Sequence, residues 1–366
     1  DGNHLTEVVH FGDQQVFSGA TTYTCLLFLD KAGARFALIS KPLDLATWKA
    51  TGNAEIGKVP SSRIGSPEWN FAIGADAELL ERLNAFPSRL GDIAERIGQG
   101  IRTSANEIFV VDVISTKGTR LPAHSRRLDQ EISLESGAVS QFLLGREIRP
   151  WEVLPSGKVA LIPYRMHDGH AVLIPEAEYR ERWPLAMAYL ERSKEFLESR
   201  EGGRFRGDAW YGYSRLQNIE LMLLPKILVP DIANRASFAL DQRGHYTFTS
   251  GYGITMRATT KVSHRYVIAL LNSSLLDYYL KSISTPMRGG YFRYFTQFVE
   301  RLPVPTDLSA PKDRAAHDRI ELLGGRMLDL HWRRRDASTS HDRDLLSRQI
   351  EATITKSIAS STNSTS

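Results

Sequence analysis

Apolar positions change their rhythm several times along the chain. Thr22-Tyr23-Thr24-Cys25-Leu26-Leu27-Phe28-Leu29 is an unbroken β-prone run, the pattern of a strand buried on both faces. Asp30-Lys31-Ala32-Gly33 supplies a turn, and residues 35–41 return as a second strand. Two strands cannot make a domain, so they read as the edge of something whose remainder lies upstream. Residues 51–70, rich in Gly, Ser and Pro, read as a linker. The spacing then predicts a helix from Asp76 to Ala85. A second helix is expected from Ser88, with Leu90, Ile93, Ala94 and Ile97 on one face and a stop at Gly98 and Gly100.

Further on, a loop over residues 100–106 leads into a strand from Glu107 to Val113, and Lys158 to Pro163 is another strand ending in Tyr164-Arg165. Pro184 sits where a first-turn proline is tolerated, at the start of a helix reaching about Arg200. Residues 219–230 are continuously apolar. Ala236–Gln242, Gly244 and His245–Ser250 read as a hairpin, and Ser263 caps a helix carrying Val267, Leu270, Leu271, Leu275 and Tyr278. Beyond Pro303-Val304-Pro305 the stretches 312–335 and 341–358 are charged, proline-free and periodic, predicting an antiparallel helical hairpin. Residues 360–366 are a Ser/Thr-rich low-complexity tail expected to be disordered. The mixture gives an α/β mixed (α+β) fold: twisted strands surrounded by short helices, with a helical appendage at the end.

The chain has 366 residues, 42% hydrophobic and 24% charged, an ordinary globular composition. No apolar run approaches the length of a membrane helix. The single cysteine, Cys25, excludes an internal disulfide and fits a cytoplasmic protein; inside an apolar strand it is expected to be buried and inert. The net charge of +4 is mild, but its distribution is not even. Residues 201–300 hold twelve Lys and Arg against seven Asp and Glu, together with sixteen of the thirty-four aromatics. Interleaved basic and aromatic residues suit a surface that meets phosphates and bases, and they equally suit a solvated arginine face over an aromatic core.

Chemistry-bearing motifs are absent. There is no phosphate-binding loop, dinucleotide fingerprint, zincin helix or nucleophile elbow, and one cysteine makes no zinc site. His167, Asp168 and His170 form a cluster without helical metal-ligand spacing, which reads as a polar surface turn. Paired acids such as Glu176/Glu178 and Glu195/Glu198 read as solvated helix charges. No catalytic and no metal-binding residue is assigned.

Four strings in order carry a resemblance. They are Gln99-Gly100-Ile101-Arg102-Thr103-Ser104-Ala105-Asn106 with the apolar strand after it; Leu144-Gly145-Arg146-Glu147-Ile148-Arg149-Pro150-Trp151; Leu161-Ile162-Pro163-Tyr164; and a closing block. The closing block comprises Leu270-Leu271-Asn272-Ser273-Ser274-Leu275, Arg288-Gly289-Gly290-Tyr291-Phe292-Arg293-Tyr294 and Leu302-Pro303-Val304-Pro305. Over residues 97–305 this order resembles the TaqI-like C-terminal specificity domain of adenine-N6 DNA methyltransferases of type II and type IIG restriction-modification systems. Gln15 to Thr24 resembles the last strands of the same enzymes' methyltransferase domain. The final helices resemble those that follow recognition domains in type I specificity subunits.

The resemblance implies residues 1–60 as the end of a methyltransferase domain with its linker, 61–310 as the target-recognition domain, 311–359 as a helical hairpin and 360–366 as a tail. It implies double-stranded DNA as partner, with DNA contacts from Arg102, Thr103, Arg146, Arg149, Tyr164, Arg165, Arg288, Gly289, Gly290, Tyr291 and Arg293. Arginine suits guanine O6/N7 and phosphate, and paired glycines let backbone N–H groups approach phosphate. For each a structural alternative stands: Arg146 pairs equally well with Glu147 or Asp129, and Gly289-Gly290 satisfies a tight turn. The sequence lacks the family's Phe-x-Gly-x-Gly-type cofactor loop and its Asn-Pro-Pro-Tyr tetrapeptide, and it lacks the Tyr-Gly-Leu-containing segment usual at the end. This chain is therefore expected to bind no cofactor and to methylate nothing by itself. S-adenosylmethionine and adenine methylation belong to the parent enzyme, whose methyltransferase domain lies upstream; whether the parent also cleaves DNA is left open. Two other readings remain: a type I-like specificity subunit recruiting separate methyltransferase subunits, and a protein-interaction scaffold without a DNA role.

Overall fold

A computed structural model describes residues 2–362 apart from 21, 23, 66–68, 70, 117 and 119. It begins with a small sheet of β1 (Leu5–His10), β2 (Cys25–Leu29), β3 (Phe36–Lys41) and β4 (Glu55–Pro60), in the order β2-β1-β3-β4. Helix α1 (Leu45–Thr51) connects β3 to β4; the Asp44 side chain accepts from the backbone N–H groups of Ala46 and Thr47 and so satisfies two free donors of its first turn. Leu5, Val8, Ala37, Ile39, Val59, Ile64 and Ile73 form the core beneath the sheet.

Two expectations are corrected in this sheet. Residues 55–60 are not linker but the strand that closes it, pairing with β3 along its whole length; residues 66–68 and 70 of the same stretch lie outside the described residues. β2 is not buried on both faces: it is an edge strand and all five of its residues, Cys25 included, are exposed.

Helix α2 (Ala75–Asn84) follows as expected. The next helix, α3, is only Leu90–Ile93, and Ala94–Gln99 is a strand, β5, rather than its continuation. The 3–4 spacing of Leu90, Ile93, Ala94 and Ile97 imitates a helical face, but β5 gains a full antiparallel ladder from Tyr252–Met256. Residues 106–109 make one helical turn, α4 (Asn106–Phe109), before β6 (Val110–Val113), so the strand expected from Glu107 starts three residues late.

Strands β7 (Arg120–Ser125), β8 (Gln130–Glu135) and β9 (Val139–Leu143) come next, then the short hairpin of β10 (Ile148–Arg149) and β11 (Glu152–Val153). β12 is Lys158–Leu161, shorter than expected, and β13 (Tyr164–His167) turns back through β14 (His170–Leu173) as a separate two-stranded ribbon. Helix α5 (Glu176–Arg182) precedes α6 (Pro184–Glu191) and α7 (Lys194–Gly203). The single helix expected from Pro184 is thus broken at Arg192-Ser193, and helical backbone geometry ends at Arg200.

The apolar stretch 219–230 divides into α8 (Ile219–Met222) and β15 (Lys226–Pro230), followed by β16 (Ile232–Ala233), β17 (Ala239–Asp241), β18 (Tyr246–Phe248) and β19 (Gly251–Met256). Here the hairpin reading is corrected. β17 pairs with β15, whereas β18 crosses to another sheet and pairs parallel with β9. The result is a six-stranded sheet, β18-β9-β12-β6-β7-β8, and a four-stranded sheet, β17-β15-β19-β5.

Side chains alternate across a strand, so β15 serves two cores at once. Leu228 joins one core with Phe109, Phe142, Tyr179 and Trp210, while Ile227 and Val229 join the other with Leu90, Phe238, Val267 and Tyr294. The crossover between β17 and β18 is held by a buried ion pair. Asp241 accepts from Lys226 Nζ at 2.6 Å and from the N–H groups of His245 and Tyr246; Lys226 spends its other donors on the Met222 and Leu224 carbonyls.

The Ser263 cap holds, but its helix is two: α9 (His264–Leu271) and α10 (Ser274–Ile283), the second capped by Ser273. Asn272 between them bonds both the N–H and the C=O of Phe238, a side chain standing in for a strand neighbour. β20 (Pro286–Met287) and β21 (Tyr291–Arg293) form a small sheet with β16, and α11 (Thr296–Val299) leads to Leu302-Pro303-Val304, which bonds back to Ser88 and Leu90.

Helices α12 (Pro311–Asp336) and α13 (Ser340–Thr362) make the expected hairpin. α12 lies against α9 so closely that a Cβ on Gly324 would meet the Arg265 carbonyl at 2.3 Å. The tail expected at 360–366 is helical as far as Thr362, since extending a formed helix costs little even through Ser and Thr; residues 363–366 lie outside the described residues. Among the described residues no helix is long and apolar enough to cross a membrane.

Candidate nucleic-acid interface

The turn Thr249-Ser250-Gly251, between β18 and β19, gathers segments that are far apart in sequence. Gly100 N–H donates to the Gly251 carbonyl and Ile101 N–H to that of Phe248. Thr249 N–H donates to the Leu143 carbonyl, and Asp231 N–H donates to the Ser250 carbonyl at 3.2 Å. Asp231 in turn accepts from Tyr294 N–H, which fixes the end of β21. Two glycines make this convergence possible. A Cβ on Gly100 would lie 2.1 Å from the Phe248 carbonyl oxygen, and one on Gly145 would lie 2.2 Å from that of Ser250.

Each of these anchors carries an arginine. Arg102 follows Gly100 by two residues and is exposed, with its guanidinium donating to Gln99 Oε1. Arg146 follows Gly145 directly. It is exposed and, like Arg149, meets no carboxylate within ion-pair distance among the described residues. The structural alternative for Arg146 does not form, because Glu147 accepts from Leu144 N–H and Asp129 lies by His124. Arg293 leaves β21 half-buried, its guanidinium 5.1 Å from the centre of the Phe295 ring and its Nε without a hydrogen-bond partner among the described residues.

Gly289 and Gly290 form the β20–β21 turn with φ of 81° and 74°, beside exposed Arg288 and Tyr291. Arg288 donates to Gln15 Oε1 at 3.0 Å and so links this turn to the N-terminal sheet.

Two expected contact residues are withdrawn from the surface, and one is engaged. Thr103 is buried; its hydroxyl donates to Asn106 Oδ1 and accepts from Ala105 N–H, shaping the start of α4. Tyr164 is buried as well. Its hydroxyl accepts from Tyr213 N–H at 2.6 Å, and burial pushes the phenol up to about 12, so it is a packing residue. Arg165 is exposed but paired with Glu178 at 2.5 Å.

Arg200, the group that fixes the Arg102 loop, carries no sequence signal. It is buried, and burial lowers its pKa from the ordinary guanidinium value. Its guanidinium donates to the carbonyls of Leu197, Thr103, Trp210 and Gly212 and lies over the Phe205 ring. Four carbonyls and an aromatic face replace the water such a cation would lose. Held this way, residues 210–215 run beside the loop: Ser214 bonds the Ser104 hydroxyl and the Arg102 carbonyl, and Arg215 N–H donates to the same carbonyl. Nothing in Glu198-Ser199-Arg200-Glu201-Gly202-Gly203 separates this arginine from its solvated neighbours.

On the other face, α12 docks through Glu152. Its Oε1 accepts from Arg334 at 2.5 Å and lies 3.4 Å from His331 Nδ1. Burial raises the Glu152 pKa, but the neighbouring His331 and Arg334 outweigh it and hold the carboxyl below its ordinary value. Also on α12, His317, Asp318 and Glu321 bring possible metal-ligand atoms within 4.8 Å of one another, but Arg265 and Arg326 share the cleft and oppose a cation there. In the N-terminal sheet, the loop after β1 is filled by Phe11, buried against Trp48.

The chain is 24% identical to the type II restriction enzyme and methyltransferase RM.Eco57I of Escherichia coli, over 96% of the chain and 37% of that protein. It is 24% identical to the type II methyltransferase M.XhoI of Xanthomonas vasicola, over 84% of the chain and 55% of the relative. To the type II methyltransferase M.BstVI of Geobacillus stearothermophilus it is 22% identical, over 68% and 40%. The chain thus spans between about a third and just over half the length of these relatives. Residues 141–304, which contain the Arg146 turn, the Ser250 hub and the closing block, match the TaqI-like C-terminal specificity domain. Over that span the chain is similar to the TaqI-like C-terminal specificity domain, and the first of the four ordered strings, residues 99–106, lies outside it.

Proposed function

We propose that this chain is the DNA target-recognition part of a type II restriction-modification adenine-N6 methyltransferase, of the type IIG kind in which restriction and modification share one protein. The observation that carries the reading is the Ser250 turn, which holds the Arg102, Arg146 and Arg293 segments from one backbone hub. Arginines on short, glycine-anchored loops offer paired donors to guanine O6/N7 or to phosphate without losing much side-chain freedom. Arg288, Gly289, Gly290 and Tyr291 would meet the DNA backbone, Arg288 at the seam with the N-terminal sheet.

In this reading a catalytic domain outside the given sequence rests on the N-terminal sheet, and the exposed apolar strand β2 is the surface offered to it. S-adenosylmethionine would supply the methyl group in that domain, and no step of the transfer is assigned to residues of this chain. The recognition lobes would hold the cytoplasmic duplex while the target adenine is turned out of the stack, a distortion costing a few kcal/mol. The relatives' greater length supports a division of labour along one chain, and it favours this reading over a separate type I-like subunit.

The test is selection of this chain on a random-sequence duplex pool across a salt series. Enrichment of one short motif, with affinity falling steeply as salt rises, is the expected result. Arg288→Ala and Arg293→Ala should each reduce the slope of log affinity against log salt by about one. Unchanged binding and slope in both variants would remove the closing block from the interface. No retention at low salt would favour a protein-binding scaffold.

A further inference from the structure

The β13–β14 ribbon stands outside both large sheets. Its register pairs Tyr164 with Leu173, Arg165 with Val172, Met166 with Ala171 and His167 with His170. Opposed residues share a face, so the ribbon has two unlike sides. Tyr164, Ala171 and Leu173 pack on the core, whereas Arg165, His167 and His170 share the opposite, outward side. Asp168 and Gly169, with φ of 48° and 78°, make the two-residue turn at the tip.

The root is fixed at several points. Tyr164 is bonded to Tyr213, Arg165 is paired with Glu178, and Ala171 N–H donates to Glu220 Oε1. Glu220 also pairs with Arg96 on β5, and Asn218 bonds the Gln99 carbonyl beside Arg102. The ribbon and the Arg102 loop therefore rise from one rigid corner. The tip is free: the side chains of His167 and Asp168 are 70% and 90% exposed, and the ion-pair contact between them is a loose 3.6 Å.

We propose that this ribbon is a base-reading element that enters the major groove of duplex DNA, with His167 and Asp168 facing base edges. The inference rests on the DNA-recognition reading above. The ribbon is about 13 Å from end to end, four residues at about 3.3 Å each, and the part beyond its anchors is the His167–His170 tip. The major groove, about 12 Å wide and 8.5 Å deep, admits a two-stranded ribbon. Chemistry then separates bases from backbone. A carboxylate at the tip of a prong is repelled by phosphate, and its natural partner in the groove is an amino group, above all cytosine N4. The histidine beside it offers a ring nitrogen to the neighbouring base. Asp168 is thus a specificity-determining residue, whereas Arg102 at the root serves the guanine or phosphate next to it.

Duplex-pool selection of the full chain against Asp168→Asn and His167→Ala tests the proposal. Asparagine tolerates the left-handed backbone of Asp168, so the turn is preserved. The expected result is a motif altered at one or two adjacent base pairs. Discrimination there should fall by about tenfold or more, with Asp168→Asn moving preference from cytosine towards adenine. Melting temperature and salt slope should not change, since neither side chain supports the core or neutralises phosphate. The same motif with the same base weights in both variants would overturn the ribbon's role and leave DNA recognition by the chain standing. Failure of the unaltered chain to enrich any motif would overturn sequence reading by this chain, and the ribbon proposal with it.

Discussion

Two apolar pentapeptides of this chain look alike in sequence and end in opposite environments. Cys25-Leu26-Leu27-Phe28-Leu29 becomes β2, with Leu26, Leu27, Phe28 and Leu29 between 44% and 71% exposed. Lys226-Ile227-Leu228-Val229-Pro230 becomes β15, in which every residue is buried, the lysine included. An unbroken apolar run specifies a strand; its neighbours decide burial. β15 has a strand on each side and a core on each face, so even an ammonium can be accommodated if all three of its donors are used. Among the described residues β2 has a neighbour on one side alone and no layer packed over its apolar side chains.

The largest expected effect lies in β15. Lys226→Met leaves the Asp241 carboxylate buried without its cation and loosens the crossover to β18. Breaking a buried pair in this way costs about 3–5 kcal/mol, read as a lower denaturation midpoint at unchanged m-value. A loss under about 1 kcal/mol would mean that Asp241 is held by the His245 and Tyr246 N–H groups without need of the lysine.

An intermediate effect is expected at the α12 seam. Glu152 has a folded pKa below its ordinary value, so its contribution is fully present above the unfolded carboxylate pKa and is lost as pH falls through the folded one. Glu152→Gln should cost about 1–3 kcal/mol at pH 7 and progressively less in acid, as measured by urea titrations at several pH values. A pH-independent cost would show that the carboxylate charge is not what docks α12.

The smallest effect belongs to β2. Leu27→Ser with Phe28→Ser should change the stability of this chain by no more than about 0.5 kcal/mol, because neither side chain loses buried contacts. A fall of several degrees in melting temperature would mean that copies of the chain cover the strand in solution and that β2 is not free to receive a catalytic domain.

The regular elements with local signals were legible in the sequence: the Asp76–Ala85 helix, the Ser263 cap and the long terminal helices. What misled was local imitation of a different structure. Leu90, Ile93, Ala94 and Ile97 carry helical spacing, yet the last two belong to β5, whose partner strand lies more than 150 residues away. β17 and β18 with Gly244 between them have the form of a hairpin, and no local residue reveals that β18 pairs with β9. In the candidate interface the ordered motifs put Arg102, Arg146 and Arg293 on segments that the Ser250 turn brings together. Alternation along a loop, however, leaves Arg102 and Ser104 outside and Thr103 inside, and only the fold tells them apart.

The bonds that join Ser88 and Leu90 to Val304 and Leu302 have a consequence for the order in which this molecule is made. They span more than 200 residues, so the second core cannot close while the chain is still emerging. At about 5–20 residues per second, some 10–40 seconds separate synthesis of the first partner from that of the last. Until β19 has been made, for most of that interval, β5 has no ladder partner. A ribosome-bound nascent chain that stops short of residue 304 should therefore be digested by protease in its second lobe. Vulnerability should end abruptly, rather than gradually, once Leu302-Pro303-Val304 has left the exit tunnel.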